Sequence, residues 1–368
     1  MAGATTPVTA KDVADAANVS VVTVSRVLNN YAHVTPAVRE RVLRVASELG
    51  YAGRRRVAKA DAGDAAAQSA PLRDVGFLFD SHVDDDEVAS NPFWSHILAG
   101  VEAAARERGI NLAYRAIAGM AREPQALLAA IRSMRLDGVL LVGTAGPQTV
   151  RTVQLAGLPL VLVDNHVPQC PVDSVLSDNM EGARAAVNYL IGQGHRTIAF
   201  IAGPRAGGAS RVNAVYTVEQ RAIGYWTAMR EAELPIDDAL FESCNMTTGG
   251  AYEACKRLLQ SGARFSAVVC ANDAAAIGAI RALREAGRRV PEDVSVVGFD
   301  DIDLAEHLSP PLTTVRIHKR AIGVTAVKRL IERARDPEAM PVTILLPTEL
   351  VTRGSVASFD AHAQARPF

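Results

Sequence analysis

Along the first fifty residues the apolar positions recur at helical spacing in three short stretches. Val13, Ala14, Ala16 and Ala17 follow a start signal in which Thr9 stands three residues before Asp12, so a helix begins near residue 10. Asn18 and Val19 interrupt it, and Ser20 can cap a second helix over residues 21–28. Thr35 can cap a third, with Pro36 at the first helical position, where its missing N–H costs nothing. The stripe of that helix is Val38, Val42, Val45, Ala46 and Leu49, and Gly50 is its C-terminal stop. Two short helices joined by a few residues make a helix-turn-helix candidate. A three-helix bundle without a nucleic-acid role fits the same spacing.

From Arg73 onward the pattern changes to short, fully apolar runs separated by amphipathic helical stretches. The runs are VGFLF (75–79), GVLLV (138–142), PLVLVD (159–164), TIAFIAG (197–203), SAVVCAND (266–273) and VSVVGFDD (294–301). Strands apolar on both faces, alternating with helices, predict parallel sheets covered on both sides. Six or more units exceed one ordinary doubly wound sheet, so two α/β lobes are expected. Ligands bind beyond the carboxyl ends of such strands. Those ends are polar here: Asp164, then Asn272 and Asp273, then Asp300 and Asp301. Carboxylates and an amide delivered to one edge suit a polyhydroxylated ligand, although Asp273, standing before AAAIGAI, is the better helix-cap candidate. Phe93 and Trp94 precede a helix, where they can stack on a sugar ring or base or form a hydrophobic staple.

Charge separates the two parts. Residues 1–60 carry nine Lys/Arg and four Asp/Glu, a net +5, whereas the whole chain is −1. A basic module on an acidic body is what a polyanion-binding protein needs, because neutralising phosphates drives affinity. With 368 residues, 49% of them apolar, the chain can bury a substantial core beyond the basic module. The stretch AKADAGDAAAQSA (58–70) has no apolar periodicity and reads as a linker.

Residues 8–51, VTAKDVADAANVSVVTVSRVLNNYAHVTPAVRERVLRVASELGY, resemble the DNA-binding headpiece of the lactose-repressor (LacI/GalR) family of bacterial transcription factors. The resemblance implies that the second helix lies in the major groove with Val21, Val22 and Arg26 facing bases. Arg26 can donate two bonds to guanine O6/N7, and valine methyls suit a thymine methyl. It implies that Thr9, Ser20, Thr23, Ser25, Asn29, Thr35 and Tyr51 hold phosphates, which set register. Core packing is expected for Val24, Val27 and Leu28. The order NPFW, VDN, GHRTIAFIAGP, AIGY, CAND, VVGFDD, PPLTTV and TELVTRGS resembles the family's periplasmic-binding-protein-like domain. By that resemblance Phe93, Trp94, Asp164, Arg221, Met246, Asn272 and Asp300 fall at effector-cleft positions, with Asp178 a weaker candidate. The chain departs from the family twice. Residues 204–221 are longer than usual, forming a cleft lid or a surface insertion. The hinge has Ala60 or Asp61 where the family carries a leucine that wedges into the minor groove; Val57 could serve instead, and the cations Arg54, Arg55 and Arg56 can still enter the groove.

Enzyme signals are missing: GPRAGGAS lacks the Gly-Lys-Ser/Thr ending of a phosphate loop, and there is no G-x-S-x-G or H-E-x-x-H. Cys170, Cys244, Cys255 and Cys270 have no C-x-x-C spacing and are expected to be buried small residues. No run reaches membrane length and no leader pattern begins the chain, which predicts a cytoplasmic protein. The expected organisation is a helix-turn-helix headpiece (1–52), a hinge and linker (53–72), a two-lobed effector-binding and dimerisation domain of doubly wound parallel sheets (73–358) and a tail (359–368). The expected function is a homodimeric, operator-binding repressor, needing no metal or cofactor, controlled by a small polar effector held between the lobes. The competing expectation is a solute-binding protein with the same cleft.

Overall fold

The computed structural model describes residues 8–28, 34–49, 72–80, 92–205 and 214–359. Its first helix, α1 (Ala10–Ala16), opens with a complete capping box. The Asp12 N–H donates to the Thr9 hydroxyl at 3.3 Å, and the Asp12 carboxylate accepts from the Thr9 hydroxyl at 2.7 Å and the Thr9 N–H at 2.6 Å. Those side-chain and backbone bonds from Thr9 hold the Asp12 carboxyl below its usual range. Asn18 turns the chain at a left-handed φ of 50°, and α2 (Val21–Leu28) starts where Ser20 Oγ accepts the Thr23 N–H at 3.1 Å.

With α3 (Pro36–Leu49), these helices bury Val13, Ala14, Ala17, Val24, Val27, Val42, Leu43, Val45 and Ala46 in one cluster, which Leu128 and Leu155 join. Two expected stripe positions differ. Ala16 is exposed, because it lies outside the arc centred on Val13 and Ala17. Leu49, in the last turn of α3, is 39% exposed, while Leu43 takes a core place instead.

The rest of the described chain forms two six-stranded sheets. The first has the order β11-β5-β4-β3-β1-β2, built from β1 (Asp74–Asp80), β2 (Asn111–Ala116), β3 (Gly138–Gly143), β4 (Leu160–Val163), β5 (Asp173–Ser177) and β11 (Thr343–Leu346). The second has the order β12-β10-β9-β8-β6-β7, from β6 (Ile198–Ala202), β7 (Phe241–Ser243), β8 (Ala267–Cys270), β9 (Ser295–Asp300), β10 (Thr313–Ile317) and β12 (Thr348–Val351). Strands β1 to β5 pair in parallel with their neighbours, as do β6 to β10; β12 runs antiparallel to β10.

All six apolar runs are strands, and the other six strands have physical reasons for escaping the pattern. β2, β7, β11 and β12 are partly exposed edge strands. β5 and β10 bury Ser174, Thr313 and Thr314 fully, so no uninterrupted apolar run marks them. Each sheet belongs to its own compact unit, one comprising residues 1–90, 98–175 and 323–344, the other 91–97, 176–322 and 345–368. The strand orders 2-1-3-4-5 and 7-6-8-9-10 reverse direction once in each sheet, placing a switch point between β1 and β3 and another between β6 and β8.

Candidate functional sites

The surface of the three-helix module is organised around α2. Val24 and Val27 face the core with no exposure, while Val21 and Val22 stand 45% and 58% exposed and Arg26 is exposed. Val22 and Arg26, four residues apart, share one helix face. Large apolar side chains left in water beside an arginine lack a folding rationale, whereas a thymine methyl and a guanine edge would satisfy them. Ser20 and Thr23 hydroxyls bond each other at 2.9 Å at the start of α2, and Thr9 and Thr35 are exposed at the starts of α1 and α3. These hydroxyls sit at helix N-termini, where N–H groups and the helix dipole favour phosphate. The Ser25 and Leu28 side chains, and Asn29, Tyr51, Arg54, Arg55, Arg56 and Val57, lie outside the described residues.

The second candidate site is assembled at the switch point between β6 and β8. Arg221, on α8 (Tyr216–Glu231), is only 3% exposed. Its Nε donates to Asn179 Oδ1 at 2.8 Å, its Nη1 donates to the Ala271 carbonyl, and its guanidinium lies 3.9 Å over the Phe299 ring. Asn179, the first residue of α7 (Asn179–Gly192), is itself oriented by donating to the Ser177 carbonyl at 2.8 Å. Arg221 Nη1 is 3.3 Å from Asp300 Oδ1, and that buried oxygen receives no well-aligned hydrogen bond. Burial pushes the Asp300 carboxyl up, opposed by the charges of Arg221 and Lys319. An acceptor approached by one cation, but still short of a donor, is complementary to a ligand hydroxyl or amine.

Asn272 is the N-cap of α10 (Asp273–Glu285): its Oδ1 accepts the Ala275 N–H at 2.8 Å, and its Nδ2 donates to the Met246 carbonyl at 3.1 Å. This corrects the sequence expectation that Asp273 caps the helix. Asp273 is the first helical residue, and its side chain is turned inward among polar partners. Met246, at a left-handed φ of 63°, packs on the cluster of Val215, Val218 and Ala271 and lies close to Gly203. The structure therefore brings Arg221, Met246, Asn272 and Asp300 together within one unit.

Phe93 and Trp94 begin α4 (Pro92–Arg106), edge to face at 4.8 Å, with Phe93 buried. Asp164 stands in the other unit, just past β4, buried and at a φ of 53°. Asp178 caps α7 through the Glu181 N–H at 3.1 Å. Of the long stretch 204–221, residues 206–213 lie outside the described residues, and Tyr216 opens α8 half-buried.

Sequence reasoning missed Asn179 and Lys319, and it read Asp273 as a cap rather than as an inward-facing partner of the 300–302 turn. Lys319, the first residue of α11 (Lys319–Arg335), is 7% exposed and donates from Nζ to the carbonyls of Asp300 at 2.5 Å and Asp301 at 2.9 Å. No local motif marks it; only the preceding strand end brings it there. The four cysteines are buried and free, as expected, and burial raises all four thiols. Among the described residues no helix is long and apolar enough to cross a membrane.

A helix that exposes Val21, Val22 and Arg26 on a three-helix module, followed by two doubly wound sheets with a polar cluster at a strand switch point, defines the class of ligand-responsive DNA-binding regulators. Comparison with known proteins agrees. Residues 9–53 match the family model for bacterial regulatory proteins of the lacI family, and residues 187–356 match the periplasmic binding protein-like domain. The ribose operon repressor of Haemophilus influenzae is 32% identical over 95% of this chain and 99% of its own. Among solved structures, the transcriptional regulator CelR in complex with cellobiose is 32% identical, with a TM-score of 0.71 over 95% of this chain and 99% of its own. The lac repressor dimer bound to operator and an anti-inducer is 27% identical, with a TM-score of 0.67 over 96% of this chain and all of its own. The chain belongs to the lacI family of bacterial transcriptional regulators, and it is a DNA-binding protein of that family. Its relatives are repressors rather than enzymes or transporter components.

Proposed function

We propose that this chain is an effector-controlled repressor that binds a pseudo-palindromic operator as a homodimer. The observation that carries the DNA half is the exposed Val21, Val22 and Arg26 face on a helix whose opposite side is fully buried. In this reading those three residues contact bases. Thr9, Ser20, Thr23, Ser25, Asn29, Thr35 and Tyr51 hold phosphates, and Arg54, Arg55 and Arg56 approach the minor groove at the operator centre. Residues 1–52 are then the headpiece, 53–72 the hinge and linker, 73–358 the effector-binding and dimerisation domain, and 359–368 a tail. A homodimer matches a symmetric operator because each half-site meets one identical headpiece, and the lac repressor dimer on its operator offers the precedent.

For the effector half, the carrying observation is the buried Arg221–Asp300 pair beside Asn272 and Met246. A guanidinium donor, a carboxylate acceptor and an amide at one strand switch point recognise neighbouring hydroxyls, and an apolar methionine covers a ring or carbon face. The effector is a sugar or a related polyhydroxylated metabolite, with Phe93, Trp94 and Asp164 as further contacts. The ribose operon repressor and the CelR–cellobiose complex are relatives consistent with that chemistry. A thermal-shift screen of pentoses, hexoses, disaccharides and nucleosides tests it, since a ligand of the native state raises apparent stability. A stabilising pentose, hexose or disaccharide that also changes retardation of operator DNA is the expected result. Stabilisation by nucleosides alone would overturn the sugar class.

A further inference from the structure

The turn that carries Asp300 is unusual. Asp300 and Asp301 follow one another at φ angles of 109° and 51°, both left-handed and neither a glycine. Such conformations are strained for residues with a Cβ and persist only where their surroundings hold them. Three sets of partners do so. Lys319 Nζ donates to both carbonyls. Arg316 and Arg353 donate to the Asp301 carboxylate at 2.7 and 2.8 Å. The third partner is Asp273, fully buried at the start of α10, whose Oδ2 accepts the N–H of Ile302 at 2.8 Å while Oδ1 lies 2.5 Å from the Thr314 hydroxyl on β10. Space for this carboxyl exists because residue 298 on β9 is glycine: a Cβ there would stand 2.2 Å from Asp273 Oδ1.

We infer that Asp273 is the positioning residue of the effector site, fixing the 300–302 turn so that the Asp300 carboxylate is presented beside Arg221. The inference rests on Asp300 and Arg221 being the effector-contacting pair. The first two sets of partners are cations, whereas Asp273 is a carboxyl buried behind the turn. Burial pushes its carboxyl up to about 7, reinforced by the facing charges of Asp300 and Asp301 and opposed by the bonds from Thr314 and the Ile302 N–H. The other titratable group facing it is the Cys270 thiol at the end of β8, itself pushed up. Arg221 and Lys319 act on Asp300 beyond it.

When neutral, Asp273 has an O–H to give the Thr314 hydroxyl and a second oxygen to accept the Ile302 N–H, so both ties are satisfied. When ionised, it sets a second buried negative charge behind Asp300. That charge repels the carboxylates of Asp300 and Asp301 across the turn and works against the geometry that presents Asp300 beside Arg221. Ligand binding at Asp300 is therefore strongest with Asp273 neutral and weakens as pH rises through about 7.

Asp273→Asn retains an acceptor for Ile302 and a donor for Thr314 without the titration; Asp273→Ala removes both. The full-length wild type and both variants are compared by hydrogen exchange of the 300–304 segment from pH 5.5 to 8.5, corrected for intrinsic exchange. The same proteins are then titrated calorimetrically with D-ribose and with cellobiose. Wild-type protection of the segment should fall as Asp273 ionises, by up to about tenfold per pH unit above about 7. The Asn variant should stay flat and the Ala variant unprotected throughout. The dissociation constant of the sugar that binds should rise with pH in the wild type and not in Asp273→Asn. If Asp273→Asn follows the wild-type pH profile, or Asp273→Ala keeps the segment protected, the inference is wrong. Should the Ala variant fail to fold, the wild-type and Asn profiles still decide. Binding of neither sugar would count against the sugar reading of the effector, while the exchange profiles would still decide the role of Asp273.

Discussion

Arg26 and Arg221 are the two arginines proposed for recognition, and their surroundings dictate different consequences of losing them. Arg26 is exposed beside Val22, and among the described residues no ion pair ties down its charge. Arg26→Ala should cost about 1–3 kcal/mol of operator affinity and relax preference at one base pair per half-site. Gel shifts over single-base operator variants test this; an equal loss on every variant would move Arg26 to the phosphates. Arg221 instead neutralises a buried carboxylate and ties α7 and β8 to α8. Arg221→Ala and Asp300→Ala should each abolish the effector response while operator binding by the ligand-free protein stays nearly intact. Unchanged ligand affinity in calorimetry with both variants would defeat that expectation. Asp273 adds a stability term of definite sign. Its folded carboxyl is raised, to about 7, so its contribution is complete below the unfolded value of about 4 and is lost as pH rises through about 7. Melting temperature should decline in that window, and Asp273→Asn should flatten this part of the decline.

The same charge logic acts between elements where β5 meets α11. Asp173 is completely buried and accepts from Arg333 Nε at 2.6 Å and the Val342 N–H at 2.9 Å, with Arg329 Nη2 at 3.0 Å. Burial raises its carboxyl, but the hydrogen bonds from Arg333, Val342 and Arg329 outweigh it, and the net shift is downward. The depressed value means that its contribution is present above the unfolded value of about 4 and is lost as pH falls below it. Asp173→Asn would leave Arg333 without its buried counter-charge and Arg329 with only the exposed Glu332 at 3.0 Å, and breaking such a buried pair typically costs about 3–5 kcal/mol. Chemical denaturation followed by a probe in the first unit should register that loss; a change below 1 kcal/mol would mean that water or other acceptors replace the carboxylate. Helix caps, by contrast, were legible locally. Thr9 and Ser20 were identified because a cap needs only residues within three positions of it. Exchanging Asp273 for Asn272 as the cap of α10 needed the surrounding strands, because both residues carry a capping oxygen and only Thr314 and the Ile302 N–H claim one of them.

On the scale of the whole molecule, a net +5 in the first sixty residues of a chain that is −1 overall makes operator affinity steeply dependent on salt. The proposed hinge supplies four of the cations in that stretch. Arg54, Arg55, Arg56 and Lys59 are concentrated there, and no leucine stands at the expected wedge position. Without unstacking of a base step, bending should be weak and A·T pairs preferred at the operator centre, where a narrow minor groove attracts cations. Circular-permutation gel shifts measure this directly. A large bend that disappears in Val57→Ala would establish Val57 as the wedge and refute the wedge-free hinge.

By itself the sequence determined the class of fold, six of the eight interior strands and the face of α2, because each follows from periodicity, capping or a motif contained within a few neighbouring residues. It also carried the positions Arg221, Met246, Asn272 and Asp300, which stand at strand ends or beside recognisable motifs. Tertiary structure decided which of them meet, added Asn179 and Lys319, and turned Asp273 from a cap into a buried partner of the 300–302 turn. Lys319 is 19 residues from Asp300 and Asn179 is 42 from Arg221, so only the parallel crossovers of the second sheet bring each pair within hydrogen-bonding distance. The six remaining strands were likewise decided by position: an edge strand needs only one apolar face. A central strand can bury serine and threonine when neighbouring groups take their hydrogen bonds, as Asp273 does for Thr314.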